Sequence, residues 1–95
     1  MLVAEFSITP VTVDNLTPFI DAAIDVIKNS GLKYEVEALG TTIEGDLDQV
    51  LEVIKKAHQV VMDMGAGRVL TEIRIDHKAV GVTIDEEVER YRAYV

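Results

Sequence analysis

The chain has no cysteine and no tryptophan, only two prolines, and five aromatic residues in all, three tyrosines and two phenylalanines. Without cysteine, disulfides, thiolate nucleophiles and sulfur-ligated metals are all excluded. Positive charge is also scarce. Nine basic residues against 17 acidic ones give a formal net charge of −8, a field that repels phosphate backbones and anionic lipid, so neither nucleic acid nor a membrane surface is an expected partner. The amino terminus lacks the basic, long-apolar pattern of a signal peptide, which points to a cytoplasmic protein. No linker, low-complexity segment or internal repeat divides the chain.

What is present is an ordinary globular balance, 48% hydrophobic and 27% charged over 95 residues. That length makes one domain, residues 1–95, able to bury roughly 60 to 65% of its unfolded surface, a modest core that oligomerisation would reinforce.

Residues 2–9, LVAEFSIT, alternate Leu2, Ala4, Phe6 and Ile8 with Val3, Glu5, Ser7 and Thr9, the period of two expected of a strand with one apolar face. Pro10 ends it. A helix starting between Asp14 and Pro18, with Thr17 as the neatest cap, carries Leu16, Phe19, Ile20, Ala23, Ile24 and Ile27 at helical spacing and stops at Asn29-Ser30-Gly31. KYEVEA (33–38) and TTIEG (41–45) read as a hairpin turning at Leu39-Gly40. Asp46 and Gln49 have the spacing of a capping box, which opens a second helix with a stripe from Leu47 to Met64, ended by Gly65. RVLTEIRID (68–76) is the last strand. Thr83 and Glu86 repeat the capping pattern before a short helix whose stripe is Ile84, Val88, Tyr91 and Val95.

The order βαββαβ with a terminal helix predicts an α+β ferredoxin-like sandwich: a four-stranded antiparallel sheet, order 4-1-3-2, with two helices on one face. Leu2, Ala4, Phe6, Ile8, Ile43, Val69, Ile73 and Ile75 are expected to face those helices. Val3, Glu5, Ser7, Thr9, Thr42, Glu44, Leu70, Glu72 and Arg74 are expected on the open face. The third helix's stripe has no expected place within the chain once two helices cover the sheet, so it and the open face are expected to meet another subunit, in a homo-oligomer and specifically a tetramer.

Catalytic and metal signatures are weak. His58 sits beside the buried stripe of the second helix and reads as a boundary histidine; His77 reads as a surface residue at a strand end. Asp46, Asp48 and Glu44 have oxygen ligands but lack the glycine and terminal glutamate of an EF-hand loop, and helix capping accounts for them. Gly65-Ala66-Gly67 ends a helix, whereas a phosphate loop opens one. Ser7 has no neighbouring histidine or elbow glycines. Neither an enzyme nor a metal or other cofactor is expected.

The opening LVAEFSITPV, the segment LGTTIEGDLDQVLEVIKKAH and the ending GAGRVLTEIRID resemble the small thiamine-binding-protein family related to YkoF, many of whose members are uncharacterised. The resemblance spans nearly the whole chain. It implies a ferredoxin-like fold, assembly through the sheets as dimers or tetramers, and binding of thiamine or its hydroxymethylpyrimidine moiety. Such a ligand offers a thiazolium cation and an aminopyrimidine edge. Carboxylates stabilise the first, and carboxylates and hydroxyls meet the second. Glu5, Ser7, Glu37, Thr42 and Glu44 carry that chemistry, and alternation places Glu5 with Ser7, and Thr42 with Glu44, each pair on one face. Alternatively, Glu44 and Glu72 pair with Arg68 or Arg74 across the sheet. Phe6, Phe19, Tyr34 or a methionine would have to supply any stacking. The alternative function is a structural or regulatory homo-oligomeric module with no small-molecule ligand.

Overall fold

The computed structural model describes residues 1–11 and 13–92. Along them run β1 (Leu2–Pro10), α1 (Thr17–Asn29), β2 (Tyr34–Val36), β3 (Thr41–Gly45), α2 (Leu47–Asp63), β4 (Val69–Asp76) and α3 (Ile84–Arg92). The four strands form one sheet in the order β2-β3-β1-β4, every neighbouring pair antiparallel. This is the expected 4-1-3-2 order read from the other edge.

Register follows from the alternation. Leu2, Ala4 and Phe6 lie opposite Gly45, Ile43 and Thr41 of β3, so both strands turn these residues to the same side. There Leu2, Ala4, Phe6 and Ile43 meet Ile27 of α1 and Val50, Val53 and Ile54 of α2, all buried, while Ala23, Ala57, Val61 and Ala66 form a second buried cluster against Ile8 and Val69. Each fully buried aliphatic side chain in this layer contributes about 1.5 to 3 kcal/mol. Gly45 serves packing rather than turning: a Cβ there would come within 3.2 Å of Leu32 and 3.3 Å of Val50.

The caps differ in part from expectation. Asp46 and Gln49 form the capping box, with the Asp46 N–H donating to Gln49 Oε1 at 3.2 Å, and the Glu86 N–H donates to Thr83 Oγ1 at 3.2 Å. Thr17, by contrast, is the first residue of α1, and its N–H donates to Asn15 Oδ1 at 3.1 Å. His58 is the half-buried boundary residue anticipated, its Nδ1 2.7 Å from Thr71 Oγ1.

Two expectations about coverage fail. Ile73 and Ile75 do point to the helix side, opposite Phe6 and Ala4, yet each remains 43% exposed, because α2 reaches β4 only at its start, where Val69 packs against the core and Thr71 meets His58, and leaves the rest of that strand uncovered. The third helix does have a place within the chain. It lies on the open face above β2 and β3, with Ile84 and the preceding Val82 buried. Val88 is half-buried and Tyr91 exposed; Val95, the last residue of the expected stripe, falls outside the described residues.

Candidate functional site

With α3 covering β2 and β3, the uncovered part of the open face belongs to β1 and β4. Pairing sets Glu5 opposite Arg74 and Ser7 opposite Glu72 on that face. Together with Phe6 and Leu39 these four line a shallow depression of about 190 Å³. Among the described residues, none of the four polar side chains has a hydrogen bond or ion pair within the chain. Two carboxylates and one guanidinium leave the depression one negative charge in excess.

A second cleft, of about 320 Å³, lies on the other side of the same strand, between α1 and the β2–β3 hairpin. Ile20, Ile24, Val36 and Leu39 supply its apolar walls, and Ser7, Thr9, Glu37 and Thr41 its polar groups. Phe6, Ser7 and Leu39 border both hollows. The reason for this pair of hollows is a mismatch of strand lengths. β3 pairs with β1 only over Leu2 to Phe6, whereas β4 pairs with it as far as Pro10. From Ser7 onward one edge of β1 therefore faces no strand, and its backbone groups on that side are open to a ligand.

The hairpin is drawn in close at this point. The Glu37 N–H donates to the Gly40 carbonyl at 2.8 Å, and a Cβ on Gly40 would lie 2.8 Å from the Phe6 carbonyl oxygen. Only glycine permits that approach without a shift of backbone.

Of the five residues expected at the site, Glu5 and Ser7 share the polar depression. Thr42 lies opposite Glu5, but its hydroxyl donates to Glu37 Oε1 at 2.7 Å; Glu37 also lines the apolar cleft. Glu44 is not in either hollow. It is 9% exposed beneath α3, where its Oε1 accepts the Ile84 N–H at 3.4 Å. Nor do Glu44 and Glu72 form the alternative cross-strand ion pairs with Arg68 or Arg74 among the described residues. Glu72, Arg74 and Leu39 complete the depression and were not among the residues singled out. Alternation had already put Glu72 and Arg74 on the same face as Glu5.

Beside this region an exposed ionic network fastens α3 to the sheet. Asp85 accepts from Lys33 Nζ and from Arg92 at 2.6 Å each, and Arg92 reaches Glu35 at 2.6 Å. The Lys33 hydrogen bond, followed by that of Arg92, holds the Asp85 carboxyl below the usual carboxylate range. The same bond to Asp85 raises Lys33, and Arg92 is raised chiefly by Asp85 as well.

Comparison with known proteins agrees with this architecture. The model of a family described as thiamine-binding protein matches residues 4–92. The chain belongs to that family. A UPF0045 protein of Clostridium perfringens is 44% identical over 73 residues, 77% of each chain. A solved domain of unknown function from Bacillus cereus is 42% identical, with a TM-score of 0.91 over 98% of this chain and 91% of that one. A solved Thermotoga maritima protein, provisionally assigned to thiamine biosynthesis or salvage, is 33% identical, with a TM-score of 0.87 over 96% of this chain and 98% of that one. Among the described residues of this family member no helix is long and apolar enough to cross a membrane, and no three His, Asp or Glu residues are grouped to hold a metal ion.

Proposed function

We propose that this protein binds thiamine or its hydroxymethylpyrimidine moiety without transforming it, as a homo-oligomer, in the hollows that flank β1 at Phe6 and Ser7. The observation that carries the reading is the set of unpartnered side chains Glu5, Ser7, Glu72 and Arg74 beside an apolar cleft, in a chain of the thiamine-binding protein family.

The chemistry is complementary. A flat pyrimidine fits against the apolar walls Ile20, Ile24, Val36 and Leu39, and its amine and ring nitrogen match the free donors and acceptors along the unpaired edge of β1. The thiazolium cation favours the polar depression, where Glu5 and Glu72 outnumber Arg74. No paired nucleophile and base stands in either hollow, in keeping with a carrier or sensor rather than an enzyme.

Exposure of Leu70, Ile73 and Ile75 favours a second reading, an assembly module with no small ligand. Calorimetric titration separates the two. Saturable binding of thiamine or hydroxymethylpyrimidine supports the carrier reading; no heat of binding for either at millimolar concentration rejects it and leaves the module.

A further inference from the structure

The hydrogen-bond ladder fixes which edge of β1 each backbone group faces. The Val11 N–H donates to the Arg68 carbonyl at 2.8 Å, one step past the last β1–β4 pair, Pro10 with Val69. Successive residues of a strand turn their N–H and C=O to opposite edges, so Val11, Thr9 and Ser7 direct theirs at β4. Ile8 directs its own the other way, toward β3. On β3 the Glu44 N–H donates outward to the Lys33 carbonyl at 3.0 Å, which by the same rule leaves Ile43 and Thr41 directed at β1, opposite Ala4 and Phe6. Two residues further, that ladder would set Leu39 against Ile8. It stops at Thr41 because the hairpin turns at Gly40, whose carbonyl accepts the Glu37 N–H. Both main-chain groups of Ile8 are therefore without a partner among the described residues, and they open into the cleft between α1 and the hairpin, which Ile8 lines. Pro10, next on that edge, has a carbonyl but no N–H.

A second polar group is held at the same place. Thr41 is only 7% exposed, sits opposite Phe6 and lines the cleft. Its hydroxyl has no hydrogen bond among the described residues, although a hydroxyl so buried ordinarily has one.

We propose that Ile8 and Thr41 are the specificity-determining residues of this cleft, and that they select a planar heterocycle with an amidine edge, a ring nitrogen beside an exocyclic amine. The Ile8 N–H donates to the ring nitrogen and the Ile8 carbonyl accepts from the amine. The Thr41 hydroxyl, on the N–H side of Ile8, meets the next polar atom of the ring. The ligand takes the place of the missing β3 residue, edge-on to β1, with Ile20 and Ile24 of α1 against one ring face. A ring that carries oxygen in place of the amine sets N–H against N–H and C=O against C=O, and is refused. This assignment rests on the pyrimidine reading put forward above and names the groups that read the ring.

Because the Ile8 groups belong to the main chain, the probes are the Ile8 amide and the ligand's own atoms. In the free protein the Ile8 amide is expected to exchange at least about tenfold faster, after correction for intrinsic rates, than the β4-bonded amides of Ser7 and Thr9. Saturating hydroxymethylpyrimidine should slow Ile8 selectively. The analogue with oxygen in place of the amine should bind at least about tenfold more weakly in calorimetric titration. Thr41→Val should weaken hydroxymethylpyrimidine by about 2- to 12-fold, the scale of one neutral hydrogen bond, with a melting temperature no lower than the parent's, because no bond within the chain is lost. Thr41→Ser should bind as the parent does. Binding of hydroxymethylpyrimidine with no slowing at Ile8, or equal affinity for the two pyrimidines, overturns the assignment and leaves the proposed function standing. Unchanged affinity in Thr41→Val overturns the part given to Thr41. No binding of hydroxymethylpyrimidine or thiamine at millimolar concentration overturns the proposed function and this assignment together.

Discussion

The side chain of Glu44 on β3 accepts the backbone N–H of Ile84, the first residue of α3, at 3.4 Å across a separation of 40 residues. A carboxylate at a helix start meets otherwise unpaired N–H groups and the positive end of the helix dipole. The bond also explains how an open-face glutamate can be buried: α3 is both its cover and its partner. Glu44 thus acts as the underside anchor of the helix, with the Lys33–Asp85–Arg92–Glu35 network fastening its exposed side.

Glu44→Ala is therefore expected to cost about 1 to 3 kcal/mol, the penalty for leaving a buried donor without its acceptor. Glu44→Gln keeps an acceptor oxygen and is expected to lose less. Urea unfolding measures the cost, and amide exchange locates it: protection of α3 amides should fall in Glu44→Ala while the α2 amides keep theirs.

The surface network has a pH window with two limbs. Asp85 is held below the ordinary carboxylate value of about 3.9 by Lys33 and then Arg92. Its contribution is complete above that value and is lost as pH falls through the lowered one. Lys33 is raised above the ordinary lysine value of about 10.4 by Asp85, so its contribution is complete below that value and is lost as pH rises through the raised one. Protection of α3 amides, corrected for intrinsic exchange, should be flat between about pH 5 and 9 and fall outside it. Asp85→Asn should abolish the acid limb, and molar salt should weaken α3 at every pH, as expected of solvent-exposed pairs.

Why the sheet was legible in the sequence and the helix over it was not is a matter of what periodicity encodes. Alternation in LVAEFSIT and RVLTEIRID assigns each residue a face, and both assignments hold in the strand register. It carries no information on how far a helix reaches across that face, which is why Ile73 and Ile75 were placed on the correct side and still lie exposed. Likewise Ile84, Val88 and Tyr91 announce a helix face that needs covering, and a second copy or the chain's own sheet satisfies that need equally well. At the site, Glu5 and Ser7 were readable as neighbours two apart on one strand. The Glu44 bond to Ile84 and the close approach of Gly40 to Phe6 join residues far apart in sequence, and no local pattern signals them.

Gly40→Ala is expected to destabilise the protein by about 1 to 3 kcal/mol, the scale of overpacking, because its Cβ would come within 2.8 Å of the Phe6 carbonyl oxygen. Backbone lies on both sides of that contact, so relief requires the hairpin to move away from β1. Thermal melts give the cost. A fluorescent or isotopic probe on Leu39, which borders both hollows, should report the displaced turn.

His58→Gln tests a boundary role. The imidazole lies 2.7 Å from Thr71, which pairs with Ile8, and neither His58 nor Thr71 lines the hollows around Phe6 and Ser7. Substitution should change stability by about 1 kcal/mol and leave ligand titrations unaltered. A large loss of binding with an unchanged melt would place His58 in the site.

Glu5→Gln distinguishes a cationic ligand from a neutral one at the same position. Glu5 is exposed, lies opposite Thr42 on one side and Arg74 on the other, and has no bond of its own, so its removal leaves no buried group unpaired and should scarcely alter stability. A carboxylate beside a thiazolium or an aminopyrimidine donor makes a charge-assisted bond worth about 1.5 to 3 kcal/mol, against about 0.5 to 1.5 kcal/mol for a neutral one. Thiamine should therefore weaken by the difference, about 1 to 1.5 kcal/mol or roughly 5- to 12-fold in Glu5→Gln at 1.4 kcal/mol per tenfold, and hydroxymethylpyrimidine, which lacks the cation, by a smaller factor. Parallel calorimetric titrations of the parent and the variant with both ligands measure the two ratios. Equal weakening of both places the pyrimidine amine, not the thiazolium, against Glu5; no weakening of either removes Glu5 from the site.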